Sequence, residues 1–119
     1  MHPLAEKISD SLAIELQNIL NYWTQNSIDE VNDGFLGERN HFNKVVPNAS
    51  KGIILNSRIL WSFSAASNHY KTDEYKSVCE RSFEYLFTFF KDEIYGGVYW
   101  ELNSEGKPIN RRKQVYAQA

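Results

Sequence analysis

Apolar residues recur at intervals of three and four along the first part of the chain. From Pro3 to about Asn26 this spacing places one stripe on a helix, which predicts an amphipathic first helix. The stripe consists of Leu12, Leu16, Ile19, Leu20 and Trp23. Residues 27–50 break the period with glycine, proline, asparagine and aspartate, so they predict a loop with short extended pieces around Phe35 and Leu36.

The next segment, from Lys51 to about Tyr70, predicts a second helix whose apolar residues cover most of its circumference. They are Ile53, Ile54, Leu55, Ile59, Leu60, Trp61, Phe63, Ala65 and Ala66. A helix with this pattern is expected to be buried on nearly all sides. Arg58 is the exception, because an arginine is rarely buried unless it is paired or faces a polar cavity.

A third helix is predicted from Thr72 or Asp73, either of which can cap it, to the glycine pair Gly96 and Gly97. Its one-sided apolar stripe consists of Tyr75, Val78, Cys79, Phe83, Leu86, Phe89, Phe90 and Ile94. Alternation over residues 98–102 and turn-forming residues at 103–106 predict a small β-hairpin that ends near Asn110. A fourth helix is predicted to begin between residues 111 and 114.

The last residue, Ala119, follows soon after the predicted start of this fourth helix. No glycine, asparagine or proline that would end a helix precedes it. A helix of two turns is marginal by itself in water. We therefore expect residues 1–119 to be the incomplete N-terminal part of one domain.

An internal repeat relates the two halves of the chain. Gly34, Glu38 and Asn40 correspond to Gly97, Glu101 and Asn103 at an offset of 63 residues, and Lys51 corresponds to Lys113 at an offset of 62. Each half contains a one-faced helix, a loop and a more buried helix, as helical-hairpin arrays do. This alternation predicts an all-α fold with two concentric helical layers, an (α/α) barrel. Arg58 and Tyr116 would then lie on early turns of the inner helices.

Composition and charge narrow the class of protein. The chain is 42% hydrophobic and 14% aromatic, which excludes a disordered chain. A net charge of −2 makes nucleic acid a poor partner, and the basic run at residues 111–113 is expected to be a solvated face rather than a phosphate clamp. Glu38 and Glu101 are expected to belong to separate loop units and to bind backbone or arginine groups.

The single cysteine, Cys79, excludes an internal disulfide and is expected to be a small buried apolar residue. No apolar run approaches the roughly 20 residues that span a bilayer, and no signal segment is recognisable at the N-terminus. We therefore expect a soluble, cytoplasmic protein without metal or cofactor. The sequence does not determine the oligomeric state.

Several segments resemble those of the N-acylglucosamine 2-epimerase superfamily, and most closely its cellobiose 2-epimerase branch. Residues 51–64, which include Asn56-Ser57-Arg58, resemble the segment that carries the Asn-x-Arg motif of this family. Residues 96–100 and 113–119 are similar to the hairpin and the following helix start of the branch. The resemblance also includes residues 21–23 and 34–35, so it spans essentially the whole chain.

This resemblance implies a ring of twelve helices, an (α/α)6 barrel, of which the chain would supply the first third. It implies C2 epimerisation of the reducing-end glucose of β-1,4-linked disaccharides such as cellobiose. A base removes the C2 proton to form an enediolate, and an acid returns a proton to the other face. The family histidines that usually share this work match none of His2, His41 and His69, so the chain alone is expected to be inactive.

The resemblance also implies roles for four residues. Arg58 would stabilise the enediolate oxygens with its planar, multi-donor cation. Tyr116 would hydrogen-bond a sugar hydroxyl or the ring-opened oxygen. Asn56 and Trp61 complete the predicted substrate-binding set, the latter by stacking on a sugar face.

Structural interpretations of the same residues stay open at this point. Arg58 could form an internal ion pair with a carboxylate such as Glu38, and Tyr116 could pack at the rim of the pocket. Asn56 lies on a different face from Arg58, which favours a helix-packing role. Trp61 and Trp100 could belong to the core.

Two other functions are compatible with the sequence. An aldose–ketose isomerase that acts on mannose or a similar hexose shares the barrel and the enediolate. A non-catalytic helical-repeat module would instead bind a protein or peptide on its inner face.

Overall fold

Long helices alternate with loops and short strands in the computed structural model, which describes residues 2–119. The helices are α1 (Pro3–Asn26), α2 (Ile53–Tyr70), α3 (Asp73–Tyr85) and α4 (Val115–Gln118), and a π-helical turn, Leu86–Phe90, continues α3. The strands β1 (Lys51–Gly52), β2 (Glu101–Leu102) and β3 (Pro108–Asn110) form one antiparallel sheet in the order β1-β2-β3.

The first two helices begin and end close to the predicted positions. α1 has the predicted bounds, and the His2 side chain caps it by accepting a hydrogen bond from the Leu4 N–H at 3.2 Å. α2 begins at Ile53 rather than Lys51 because the two residues before it pair with β2. This strand was not predicted, since two residues are too few to show an alternating pattern.

The extended piece expected around Phe35 and the β-hairpin expected to end near Asn110 are both confirmed. Phe35 forms an antiparallel bridge with Ile28, and β3 ends at Asn110. α4 begins at Val115, one residue beyond the predicted range for its start.

The third helix ends earlier than predicted. The π-helical turn stops at Phe90, and Ile94 lies beyond it, 78% exposed. After this turn Asp92 Oδ1 accepts hydrogen bonds from the N–H groups of Ile94 and Tyr95 at 3.1 and 3.0 Å. An aspartate that binds the backbone two and three residues further on stabilises a turn in competition with a helix. Asp92 therefore ends the helical segment before the glycine pair is reached.

The core consists of two clusters packed around α2 and α3. One cluster joins α1 to these helices through Leu20, Phe35, Ile59, Phe63, Ala66, Tyr75 and Val78. The other lies beneath the sheet and contains Ile53, Tyr85, Leu86, Phe90, Tyr99 and Leu102. Cys79 packs against the first cluster but is only partly buried, less than predicted, with its Sγ 3.0 Å from Ser64 Oγ.

The prediction that α2 is buried on nearly all sides is wrong within residues 2–119. Its buried positions share one face and are Ile53, Asn56, Ile59, Phe63 and Ala66. The opposite face is open, with Trp61 74% exposed. The stripe of α1 is also largely uncovered, since Leu12 is 65% exposed and only Leu20 is buried. Among the described residues, no helix combines the length and apolarity needed to cross a bilayer.

Candidate functional site

The loops that precede α2 and α4 share two hydrogen-bonded turns and a lysine link, in keeping with the internal repeat. We call residues 27–50 the first repeat loop and residues 91–112 the second repeat loop. Near the start of each, an aspartate Oδ1 accepts hydrogen bonds from the N–H groups two and three residues further on. The distances are 3.0 and 2.9 Å at Asp29, and 3.1 and 3.0 Å at Asp92. The two turns are therefore built by the same interaction.

A second turn in each loop is built by an asparagine. Oδ1 of Asn40 accepts from the N–H groups two and four residues further on at 3.0 and 3.1 Å, and Asn103 does the same at 3.0 and 2.9 Å. Each turn contains one residue in the left-handed region, Asn43 with φ 60° and Gly106 with φ 90°. Both residue types tolerate this conformation, so the geometry repeats although the residues differ.

A lysine ties each repeat loop to the helix that follows it. Lys51 Nζ lies 2.8 Å from Asp29 Oδ2 and 2.8 Å from the Asp33 carbonyl oxygen. Lys113 Nζ lies 2.8 Å from Asp92 Oδ2 and 2.9 Å from the carbonyl oxygen of residue 96. The lysine pair was predicted as part of the repeat, but its aspartate partners were missed. Their offset of 63 residues is the signal that could have identified them.

Both aspartates are held in their ionised form. The hydrogen bond from Lys113 is the largest effect on Asp92 and, with the Tyr95 N–H, lowers the pKa of Asp92 to about 2. At Asp29 burial is the largest effect and acts to raise the pKa. The hydrogen bonds from Lys51 and from the loop amides outweigh it and hold the pKa of Asp29 below its ordinary value.

Arg58, the predicted catalytic residue, lies on the open face of α2. Its exposed side chain lines a groove of about 330 Å³ between α1 and α2, together with Trp23, Leu55 and Ser62. Among the residues that the structure describes, its guanidinium has no hydrogen-bond or ion-pair partner, so the ion pair with Glu38 is not formed. The N–H donors of this guanidinium can therefore bind an oxygen-rich ligand.

Tyr116 lies in the first turn of α4 and is 65% exposed. Its ring packs edge-on against Trp100, with the ring centroids 6.0 Å apart. The Trp100 carbonyl oxygen accepts a hydrogen bond from the N–H of Ile53, the first residue of α2, at 3.1 Å. The segment around Trp100 therefore connects the start of α4, which carries Tyr116, to the start of the helix that carries Arg58.

Asn56 and Trp61 occupy opposite environments on α2. Asn56 is 2% exposed, and its Nδ2 donates to the Gly52 carbonyl oxygen at 2.8 Å, which favours the helix-packing interpretation over contact with a substrate. Trp61 is three residues after Arg58, so both side chains lie on the same helix face. Of the four predicted residues, the structure brings Arg58 and Trp61 together on one open face and buries Asn56 behind it.

The two glutamates of the repeat differ in their contacts. Glu101 accepts a hydrogen bond from the Ser50 hydroxyl, a side-chain donor in the first repeat loop. This contact links the two loops, so Glu101 binds a side-chain hydroxyl rather than the backbone or arginine groups expected. Glu38 is exposed and lines a cavity of about 240 Å³ that shares Trp23 and Leu55 with the groove at Arg58.

The basic run before α4 packs on aromatic rings. The Arg111 guanidinium lies 5.5 Å from the centroid of the Tyr99 ring, and the Arg112 guanidinium lies 5.4 Å from that of Trp100. Residues 111–113 are exposed, as expected of a solvated face, and the two arginines also pack over aromatic rings at the edge of the second core cluster.

The three histidines contact their neighbours in sequence. His2 caps α1, and the rings of His41 and His69 lie 3.9 and 4.6 Å from those of Phe42 and Tyr70. Within residues 2–119, no three histidine, cysteine, aspartate or glutamate side chains form a group that could hold a metal ion.

Comparisons with known sequences give a consistent result. The family model described as N-acylglucosamine 2-epimerase (GlcNAc 2-epimerase) matches residues 34–119. A cellobiose 2-epimerase of Bacteroides fragilis is 44% identical over 99 residues, which are 83% of this chain and 25% of that protein. The chain thus spans about a quarter of the length of the curated relatives that it matches.

Solved structures share the fold. The cellobiose 2-epimerase from Spirochaeta thermophila superposes with a TM-score of 0.92 at 27% identity, covering 98% of this chain and 29% of that chain. A D-mannose isomerase superposes with a TM-score of 0.80 over 91% of this chain and 27% of its own, but at 21% identity this likeness shows the fold alone. The predicted fold class, helical hairpins of an (α/α)6 barrel with a small β-hairpin, is confirmed.

Proposed function

The chain belongs to the N-acylglucosamine 2-epimerase family, and from this premise we propose that it forms part of a carbohydrate epimerase. The proposed reaction inverts C2 of the reducing-end glucose in β-1,4-linked disaccharides such as cellobiose. The substrate class is supported by the 44% identity with the Bacteroides fragilis relative named cellobiose 2-epimerase. Because the chain spans a quarter of that relative, we assign to it only groups that bind the sugar and stabilise charge.

The unpaired Arg58 guanidinium is the observation that carries this proposal. When a base removes the C2 proton of the opened sugar, the C–H electron pair forms the C1=C2 bond and negative charge accumulates on the C1 oxygen. A proton is then returned to the opposite face of C2. A guanidinium with no protein partner among residues 2–119, on the open face of a helix, supplies donors for these oxygens.

Tyr116 and Trp61 are the two proposed substrate-binding residues with exposed side chains. Their exposed fractions are 65% and 74%, so both are accessible to a sugar. The tyrosine hydroxyl would bond a sugar hydroxyl, and the indole would cover an apolar face of a pyranose. Asn56 is assigned an indirect part: its bond to the Gly52 carbonyl oxygen stabilises the first turn of the helix that carries Arg58.

A chimera tests this function. This chain would replace the matching quarter of the Bacteroides fragilis relative, and the same relative without that quarter serves as the control. We expect the chimera to convert cellobiose to its C2 epimer, observed by ¹³C NMR, and the control to be inactive. A folded chimera without turnover would contradict the proposal. Accumulation of the ketose instead of the epimer would favour the isomerase alternative.

Residues 1–119 alone are expected to give no epimerisation of cellobiose and to bind a hydrophobic dye. The proton-transfer histidines implied by the family resemblance match none of the three in the chain. The open faces of α1 and α2 also leave apolar side chains in water, including Leu12 and Trp61. Dye fluorescence and ¹³C NMR of a cellobiose incubation measure the two outcomes. Either of two results would contradict this expectation. One is a monodisperse, cooperatively melting monomer that does not bind the dye, and the other is the formation of any epimer.

A further inference from the structure

Side-chain hydrogen bonds fix the start of α4 against the second repeat loop. Among the described residues, no side chain of α4 (Val115–Gln118) is buried. Lys113, two residues before the helix, and Gln118 within it both reach back to this loop. Lys113 Nζ binds Asp92 Oδ2 at 2.8 Å and the carbonyl oxygen of Gly96 at 2.9 Å.

The second link is a paired hydrogen bond from Gln118. Its Oε1 accepts from the Val98 N–H at 2.7 Å, and its Nε2 donates to the Val98 carbonyl oxygen at 3.0 Å. The side-chain amide thus pairs with the backbone as a strand would. Gly97 adjoins this contact, and a Cβ atom there would collide with Gln118 Oε1. Because glycine has no side chain, the Gln118 amide can approach the backbone at this position.

We propose that Lys113 and Gln118 are positioning residues that hold the Tyr116 phenol at the sugar site. This inference rests on the proposed function. Tyr116 lies between the two links, three residues after Lys113 and two residues before Gln118. The loop to which both residues bind also carries Trp100, whose ring Tyr116 contacts. Release of α4 from this loop therefore moves the phenol away from the start of α2.

The first repeat shows that the glutamine link is specific to the second repeat. At the offset of 62 that relates Lys51 to Lys113, the residue equivalent to Gln118 is Asn56. The Asn56 amide instead donates to the carbonyl oxygen of Gly52 in β1, one residue before its own helix. α2 is held by a buried face, whereas α4 buries no side chain in the part of the chain that the structure describes.

Steady-state kinetics of the chimera test this role. If Tyr116 only binds a sugar hydroxyl, its displacement weakens binding without changing the chemical step. We expect Lys113→Met to raise KM for cellobiose about 3- to 10-fold, the loss of about one hydrogen bond, with kcat changed by less than about 2-fold. Gln118→Met should do the same. Lys107→Met is the matched control, because Lys107 is an exposed lysine of the same loop whose ion pair, with Glu105, is long at 3.8 Å.

A double-mutant cycle separates positioning from a general loss of stability. Once Tyr116→Phe has removed the hydroxyl, Lys113→Met should raise KM no further, because both changes remove the same contact. An equal rise in KM on the Phe background, or no rise on the native background, would overturn the proposal. If the unmodified chimera folds but has no turnover, the proposed function fails, and the link itself is still tested by NMR of the same chimera.

NMR of the chimera tests the link independently of activity. The carboxyl carbon of Asp92 should titrate with a pKa of about 2, and Lys113→Met should return this pKa towards the ordinary 3.8. Because the folded pKa is depressed, the link is complete above the ordinary pKa and is lost as the pH falls towards about 2. Over this range the α4 amides should lose exchange protection. An Asp92 titration that Lys113→Met leaves unchanged would show that the link is absent in solution.

Discussion

Replacing Arg58 by methionine is expected to lower kcat/KM of the chimera for cellobiose by about 10²- to 10³-fold, the usual effect of removing one donor to a developing oxyanion. The side chain is exposed, and its guanidinium has no protein partner in the described part of the chain. The substitution therefore removes charge and donors from the groove without breaking an internal contact. Initial rates followed by NMR, together with the melting temperature, measure the two effects separately.

Two further variants serve as comparisons for Arg58→Met: one keeps the positive charge at residue 58, and the other is a control at a different arginine. Arg58→Lys keeps the charge but loses the planar fork of donors, so we expect it to recover only part of the activity. Arg111→Met removes an exposed arginine that packs on Tyr99 and has no part in the proposed site. Its kcat/KM should stay within about 2-fold of the unmodified chimera, since surface changes away from the chemistry have small effects. If the Arg58→Met chimera is as active as this control, Arg58 has no role in the mechanism.

The parts of the fold that follow from local periodicity could be predicted. α1 has 24 residues and α2 has 18, long enough for the helical period to identify each helix from the sequence. The turn-forming residues at 103–106 likewise identified the hairpin. The end of α3 could not be read from periodicity, because Asp92 ends it through side-chain bonds to the backbone. The apolar pattern continues past this point to Ile94 and gives no sign of the turn.

Burial was predicted less well than helix position. An apolar pattern identifies which faces of a helix avoid water, but it does not say which of them 119 residues can cover. Trp61 belongs to the all-round apolar pattern of α2 and yet is 74% exposed, and Leu12 of α1 is 65% exposed. Asn56 is the reverse case, because this polar residue is buried and bonds the Gly52 carbonyl oxygen just before its helix, in keeping with the helix-packing interpretation.

The candidate site was predicted through motif resemblance, whereas the contacts that support it were not. Arg58 and Tyr116 lie on early turns of their helices, as the repeat predicted. Pairs such as Lys51 with Asp29 and Lys113 with Asp92 join residues about 20 positions apart across an irregular loop. Neither the helical nor the strand period applies to such a separation. Only a comparison of the two repeats shows that each lysine has an aspartate at a corresponding distance.

The Lys51–Asp29 pair should be the most costly of these contacts to break. Replacing Lys51 by methionine is expected to lower the free energy of unfolding by about 3–5 kcal/mol, because it leaves a buried carboxylate without its cation. The exposed side-chain fractions are 1% for Lys51 and 7% for Asp29, so water cannot replace the lost partner. The Asp33 carbonyl oxygen loses a donor as well. The shift of the urea midpoint of the chimera measures the loss, and Lys113→Met, whose side chain is 32% exposed, should cost less.

Neutralising the unpaired Asp29 carboxylate should restore part of the free energy of unfolding that Lys51→Met loses. Asp29→Asn combined with Lys51→Met leaves a neutral amide that can still accept the two loop N–H bonds, so the double variant should be more stable than Lys51→Met alone. Acid should narrow the gap between Lys51→Met and the native chimera. The pKa of Asp29 is depressed in the native fold, so the stability from its ion pair is complete above the ordinary 3.8 and is lost as the pH falls through the lowered value. A double variant no more stable than the single one, or a gap that does not depend on pH, would show that the cost arises from packing of the lysine stem and not from the unpaired carboxylate.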